Sequence, residues 1–457
     1  MTSKVSFFNP GIQKQNFKQF GWIGIVILIG WIFIVPMRMI RITDDWYGPE
    51  DVTTMTQISN GTELPVIVGG SILTGMFLFR YLQVPDAADM MHSLPVRRES
   101  LFFNQVLTGL VLIMAPLLIT AGAAQVIAGM YPEFNELTPQ TIWSWAGAFL
   151  IMSVFFFLFT VFVGMAVGMS IATGIITMIL LILPAGMYTL INGTIAFYLY
   201  GAPSSNISAM EAIVPFSPLL FVSNIVENQQ TAWQLAGYAA AAVLFGAAAL
   251  VLYKLRPIET ASEAITFRVL RPIFKYGVTF CAMLTFSVFY SQNDNTGWII
   301  FGYVFGSAAG YFIAEMILKK TWRVFRGRAL IGYGGYAVVI IIAGAMLHYD
   351  VFGYESTIPD SDSVQSVYVG EFISHPADYQ NLYSTSDAYL DDVQQLHQAI
   401  IDHRPEEEQG ASKQSVSIAY ELENGKTIIR QYFYIDTDGF SEKLQDVKEY
   451  DAYNAIP

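Results

Sequence analysis

Cysteine, histidine and charge are all scarce in this chain of 457 residues: it holds one cysteine, Cys281, and five histidines, and only 13% of its residues are charged. A single cysteine excludes a disulfide framework and a cysteine-ligated zinc cluster. None of His92, His348, His375, His397 and His403 stands in an HExxH spacing or inside a long apolar run, so the usual metal-holding motif of a membrane-embedded hydrolase is missing. No GxxxxGK[ST] segment occurs, which removes the backbone cradle that holds nucleotide phosphates at a helix N-terminus. The net charge of -13, with no basic cluster outside short connectors, speaks against nucleic acid as a partner.

What the chain has instead is apolar length. Hydrophobic residues make up 54% of it, and soluble domains carry roughly 25% charged residues, about twice the fraction found here. The first apolar run, Phe20 to Met37, follows Lys4, Lys14 and Lys18 and leads into Pro36-Met37-Arg38 rather than a small-residue cleavage site, which reads as a retained signal anchor. Ahead of it, Asn9-Pro10 supplies an N-cap and first helical position for a helix lying at the membrane surface through Ile12, Phe17 and Phe20.

A bilayer needs roughly 20 mostly apolar residues per crossing. Besides the anchor, the runs that qualify are Leu64 to Leu82, Leu101 to Ala128, Ile142 to Val167, Gly174 to Tyr200, Ala232 to Tyr253, the short Tyr276 to Tyr290, Trp298 to Leu318 and Ala329 to Met346. Glu211 to Asn228, interrupted by Pro215 and Pro218, is too short to cross and reads as re-entrant or interfacial. Alternate connectors are basic: Arg80, Arg97 and Arg98; then Lys254, Arg256, Arg268, Arg271 and Lys275; then Lys319, Lys320, Arg323, Arg326 and Arg328. By the positive-inside rule these face the cytoplasm with the N-terminus, and nine crossings leave the C-terminus outside.

Beyond Tyr349 acids and short strand-like runs replace the apolar helices. Val367 to Phe372 predicts a strand, and Ser386 predicts the cap of a helix whose Tyr389, Val393, Leu396 and Ile400 share a face before Arg404-Pro405 ends it. Alternation through Val416, Ile418, Tyr420 and Leu422 up to Asn424-Gly425, resumed from Thr427 to Ile435, predicts a hairpin on a type I′ turn with Glu423 opposite Lys426. The expected fold is thus an all-α polytopic membrane bundle of about nine transmembrane helices, residues 1–346, with a small extracytoplasmic α+β domain, residues 349–457.

Polar chemistry within the runs is thin. Glu315 lies four residues before Lys319, the favourable order for a helical ion pair that snorkels to the interface. Gln125 and Asn192 suit helix packing better than a transport path, and Gly164, Gly168, Gly302, Gly306 and Gly310 mark close helix approach. Pro116 and Pro184 each remove a backbone hydrogen bond inside a run.

The polar island between the second and third runs, Pro85 to Leu101, combines aspartates, a histidine and paired arginines, and Leu94-Pro95 ends its short helix. Within it, Asp89-Met-Met-His-Ser-Leu-Pro-Val-Arg-Arg-Glu-Ser-Leu101 resembles the connector of type-2 permease subunits of ATP-binding-cassette (ABC) transporters from Gram-positive bacteria. Phe8-Asn-Pro-Gly-Ile12 through Gly21-Trp-Ile-Gly24 is similar to the start of those permeases. Ala419-Tyr to Asn424-Gly-Lys with Arg430 resembles a domain appended to some of them.

The resemblance implies a pair of permease subunits, identical or not, each engaging a cytosolic ATPase subunit that binds the ATP and magnesium; this chain binds no cofactor and is not itself an enzyme. It implies export of an amphipathic, lipid-like or antimicrobial compound at the plasma membrane. Carried over by position, Asp89, His92, Ser93, Leu94, Pro95 and Arg98 shape the ATPase contact, with Asp86, Arg97 and Glu99 as neighbours. Met90, Met91 and Leu94 supply the apolar face of a helix-in-groove contact, although Arg97 and Arg98 satisfy the positive-inside rule by themselves. Glu259 and Glu263 in the next basic connector are a possible second contact, equally readable as part of a lipid-facing helix. The alternative function is a membrane sensor whose outer domain binds an envelope ligand without transport.

The topology makes a direct prediction. Single cysteines at Ser363 and Ser441, in a Cys281→Ala background, react with an impermeant thiol reagent in intact cells; protection of both would require an even number of crossings.

Overall fold

The computed structural model describes residues 8–43, 52–93, 95–131, 133–134, 136–203, 213–226, 231–257, 263–291, 296–325, 327–370, 383–402 and 414–434. Among them, eight helices are long and apolar enough to cross a membrane, and a small sheet closes the chain. The chain divides into two compact units, Met1–Pro184 with Val214–Ile273 and Ala185–Ile213 with Phe274–Pro457.

In the first unit, α1 (Pro10–Ile34) starts as the sequence predicts: Asn9 Oδ1 accepts from the N–H groups of Gly11 and Ile12, and Pro10 takes the first helical position. No separate surface helix precedes the anchor. The first turns of α1 run straight into the span and on through α2 (Pro36–Ile42). Their amides explain why: Gln13 and Asn16 are buried against α6 (Arg98–Met130). Gln13 Nε2 donates to the Asn104 carbonyl at 2.9 Å, Asn16 Nδ2 to Thr108 Oγ1 at 3.0 Å, and Thr108 Oγ1 to Gln13 Oε1 at 2.9 Å. Polar groups removed from water must find such partners.

The short α3 (Met55–Ser59) is held by a capping box between Thr54 and Gln57. Just beyond it Glu63 is fully buried, accepts the Ser59 hydroxyl, and has its carboxyl pushed above the usual range chiefly by burial, with Arg38 pulling the other way.

The run from Leu64 to Leu82 departs from expectation. It forms a five-residue π-helical turn, Pro65–Gly69, then the nine-residue α4 (Gly70–Leu78) and a single 3-10 turn, Arg80–Leu82. Together these turns run from Pro65 to Leu82, and the apolar helix within them, Pro65–Leu78, is shorter than the other spans. The nine expected long spans are therefore eight plus this shorter apolar helix.

The acidic connector forms α5 (Pro85–His92), and α7 (Pro139–Ala166) is the unit's buried centre, flanked by α4, α6 and α10 (Ala232–Leu255). Edge-on aromatic pairs fix α7 in place: Trp31 against Trp145 at 5.6 Å and Phe155 against Tyr238 at 5.0 Å. The first half of α8 (Ser170–Tyr198) belongs here, up to Pro184. Within the stretch read as re-entrant, the described residues form a 3-10 turn, Val214–Phe216, and the nine-residue α9 (Pro218–Val226).

In the second unit, α11 (Leu270–Ser291) packs on α12 (Thr296–Lys319), followed by α13 (Gly327–His348). The run from Tyr276, short in the sequence, reaches 22 residues because Leu270 to Lys275 extend it. The glycine stripe brings α11 and α12 into backbone contact: a Cβ at Gly306 would lie 2.7 Å from the Ala282 carbonyl oxygen, and one at Gly302 2.8 Å from that of Phe286. Glu315 pairs with Lys319 at 2.6 Å, as its spacing predicts, and also with Lys275 of α11 at 3.5 Å.

The C-terminal domain holds an antiparallel sheet in the order β1 (Val364–Gly370), β2 (Gln414–Leu422), β3 (Thr427–Tyr434), with α14 (Asp387–Asp402) packed against it. Tyr389, Val393, Leu396 and Ile400 form its buried face. Phe372, Arg404, Pro405 and Ile435 lie outside the described residues. The hairpin exists, but its turn differs from the type I′ expectation. Gly425 has a φ of +75° while Asn424 does not enter the left-handed region, and Gly425 N–H donates to the Leu422 carbonyl at 2.9 Å. That is a three-residue loop, a type I turn closed by a glycine bulge. Leu422, not Glu423, therefore stands opposite Lys426 and bonds to it.

His397 sits in the domain core between two tyrosines, its Nδ1 3.0 Å from Tyr420 Oη and its Nε2 2.6 Å from Tyr432 Oη. Burial, with a smaller contribution from the Arg430 charge, holds its pKa down at about 4. An unfolded chain gains a proton on this imidazole below about pH 6.5 that the folded domain refuses until far lower. Its contribution to stability therefore falls as pH drops from 6.5 to 4, at up to roughly 1.4 kcal/mol per pH unit. Hydrogen exchange of β2 and β3 in the full chain, corrected for intrinsic rates, is expected to follow that slope, and His397→Gln to flatten it.

Candidate docking site

The polar end of the first unit that carries α5 is built around a buried cation. Arg256 follows α10 directly, and Pro257 behind it favours an extended backbone, observed at φ -67° and ψ 122°. The helix stops there and the side chain folds inward. Its Nη1 donates to the carbonyls of Gly164 at 2.8 Å and Met165 at 3.1 Å, in the last turn of α7, and its Nη2 to that of Leu82 at 3.1 Å. Terminal carbonyls lack helical partners and carry the negative end of the helix dipole, so a guanidinium meets both needs. Burial lowers its pKa to about 10, which leaves it charged at neutral pH.

Gln83, one residue beyond Leu82, is buried too. Its Nε2 donates to Thr173 Oγ1 at 2.9 Å and its Oε1 accepts from Ser170 Oγ at 2.6 Å, tying the start of α8 to the root of α5. The Thr266 N–H donates to the Ala166 carbonyl at 2.9 Å and the Gly168 N–H to that of Glu263 at 3.0 Å, so the second basic connector lies along the α7–α8 turn.

On this base α5 starts at Pro85 and runs eight residues. Its outer face repeats at helical spacing: Asp86, Asp89, Met90 and Ser93 are all exposed, and Met90 is 63% exposed. Its inner face carries Ala88, which is buried, and Met91, which lines a groove toward α1. The three apolar residues expected to face a partner therefore divide. Met90 is largely exposed while also lining that groove, Met91 is half-buried in it, and Leu94 lies outside the described residues.

The remaining predicted residues scatter around this helix. His92 is its last residue, with a side chain outside the description. Ser93 caps the end and returns its hydroxyl to the Met90 carbonyl at 2.8 Å. Pro95 and Arg97 are exposed in the turn before α6, and Arg98 is half-buried in its first turn. Glu99 turns away from the outer face, pairing with Lys254 of α10 at 2.6 Å. Both side chains are more than a third exposed, so solvent screens the pair and it orients more than it stabilises. Glu263 pairs with Arg271 of its own connector, and Glu259 lies outside the described residues.

In the sequence Arg256 is one of the charges that mark the cytoplasmic side, and Gln83 does not stand out. The Arg-Pro step directly after an apolar run was the available signal for the first; nothing local marks the second.

The fold and this end of it define a multi-pass helical membrane protein with a small three-stranded sheet at its C-terminus and an exposed acidic helix on a pinned base. No protein-family model, curated protein or solved structure matches the chain.

Replacing Arg256 with methionine leaves three buried carbonyls without donors and is expected to cost roughly 3 kcal/mol or more of stability. Arg256→Lys restores only part of this, because one ammonium lacks the planar fork that reaches two elements at once. Thermal unfolding in mild detergent reads the order wild type, lysine, methionine; a lysine variant equal to wild type would remove the fork from the account.

Proposed function

We propose that the chain is the permease subunit of an ABC exporter, with α5 as the element that engages a cytosolic ATPase subunit. The observation that carries this is the outer face of α5. Two carboxylates, a methionine and a hydroxyl stand exposed together on a helix whose root is fixed by Gln83 and Arg256. A surface that passes on a partner's motion needs such a mount, since a floppy one would absorb the displacement. Charge around an apolar anchor sets register and partner choice more than raw affinity.

In this reading the basic connectors are cytosolic, ATP and magnesium are bound by the partner, a second permease subunit completes the assembly, and the sheet domain faces out of the cell. The substrate is an amphipathic, lipid-like or antimicrobial compound. A pocket of about 430 Å³ in the first unit, walled by Phe155, Phe159, Tyr238 and Phe245 with Trp233 and Phe216 among its lining, supports an apolar substrate.

One observation favours the second reading, a sensor without transport. The Gln431 N–H of β3 donates to the Gly201 carbonyl at 3.1 Å, and the Tyr432 and Tyr200 rings lie 5.0 Å apart, so the sheet is fastened to the segment that follows α8. A ligand pulling on the sheet would act on that helix. ATP-dependent efflux from proteoliposomes separates the two readings.

Asp89→Arg is expected to leave membrane insertion and thermal stability unchanged while reducing copurification of a nucleotide-binding subunit at least about tenfold, the scale of one charge-assisted contact inverted. Unchanged copurification would remove α5 as the contact.

A further inference from the structure

The inner face of α5 covers a groove of about 490 Å³ that shares only Met90 with the docking face. Its walls are apolar, with Ile12 and Phe20 from α1, Phe77 from α4 and Met91 from α5. It lies where the apolar helix Pro65–Leu78 ends and the first turns of α1 begin, the level at which membrane helices give way to polar ends. Its size falls within the roughly 300–1,000 Å³ of small-molecule sites.

Two polar features specify more than an apolar filler. Arg80 lines the groove and is exposed, Lys18 stands exposed three residues beyond the lining Gln15, and no lining residue among the described residues is acidic. Gln105, also in the lining, is only 2% exposed, and its Oε1 is buried without a hydrogen-bond partner. An unmade bond at a buried amide oxygen costs free energy that a ligand donor recovers once the amide turns toward it.

We propose that this groove binds one anionic phospholipid with a hydroxyl-bearing headgroup, its acyl chain between α1 and α5, its phosphate at Arg80 and a headgroup hydroxyl donating to Gln105. A free phosphate would leave the apolar walls unfilled, and a choline headgroup has neither net charge nor a hydroxyl donor. The lipid seats Met91 and Ala87 from beneath, so its presence stiffens the helix whose other face is exposed. The site rests on the groove alone and stands whether or not an ATPase subunit binds outside.

The test is photo-crosslinking of the full chain, purified in mild detergent, with a phosphatidylglycerol bearing a diazirine on its acyl chain, the labelled peptides being mapped by mass spectrometry. Labels are expected within residues 12–20 and 77–91, competed by unlabelled phosphatidylglycerol but not by phosphatidylcholine or inorganic phosphate. Arg80→Ala is expected to lower this labelling about fivefold, the effect of one basic residue at an anionic surface, while Arg97→Ala, outside the groove, leaves it within about twofold. Ala87→Trp, which fills the groove, abolishes it, with circular dichroism confirming that the variant is folded. Equal competition by phosphatidylcholine would overturn the headgroup assignment, and competition by inorganic phosphate would make the site one for a soluble anion. Labelling insensitive to both Arg80→Ala and Ala87→Trp would overturn the site itself.

Discussion

One guanidinium holds the working end of the first unit together. Arg256 reaches the last carbonyls of α7 and the carbonyl of Leu82, so the end of α10, the end of α7 and the root of α5 are fixed by a single group. Buried charges are costly unless fully paired, and this one is kept by carbonyls that would otherwise be orphaned. Everything proposed for α5 depends on that mount, because the helix itself is short and touches solvent along one whole side. The Gln83 contacts with Ser170 and Thr173 extend the same fixing to α8.

The two units are stabilised by different means. In the first, α7 is buried over most of its length by aromatic pairs and by side chains that fill gaps left by small ones, as Phe157 does against Gly109. In the second, α11 and α12 meet backbone to backbone along Gly302, Gly306 and Gly310. Among lipid tails apolar burial gives little drive for helices to associate, so close approach and interhelical hydrogen bonds carry more of the load. Two of the three boundaries between the units fall inside helices: after Pro184 in α8, where the backbone lacks a donor, and after Ile273 in α11.

Local features were legible in the sequence where the physics is local. The Asn9-Pro10 cap, the helix face of Tyr389 to Ile400, the Glu315–Lys319 pair and the glycine stripe each depend on residues a turn or two apart, and each is present. Legibility failed where a partner lay far along the chain. Gln13 and Asn16 read as polar residues of a surface helix because Asn104 and Thr108, their partners, cannot be found by periodicity. Arg256 read as a topology charge because its carbonyls belong to other segments. Composition shows the apolar length of the second run but not the π-helical turn at its start or the 3-10 turn at its end. At the docking site a short acidic helix was legible in the sequence, but not the groove beneath it, which Met91 lines from within and Met90 from an exposed position.

The ladder joining α1 to α6 bears on how the protein is made. Gln13 finds its acceptor at Asn104, 91 residues further along the chain. During synthesis α1 is complete long before α6 exists, and its buried amides have no permanent partners in the interval. At the polar end of the helix, water can stand in for those partners until α6 emerges and Asn104 and Thr108 replace it. The final seating of α1 is thus set by the arrival of α6 and not by the hydrophobicity of the anchor alone.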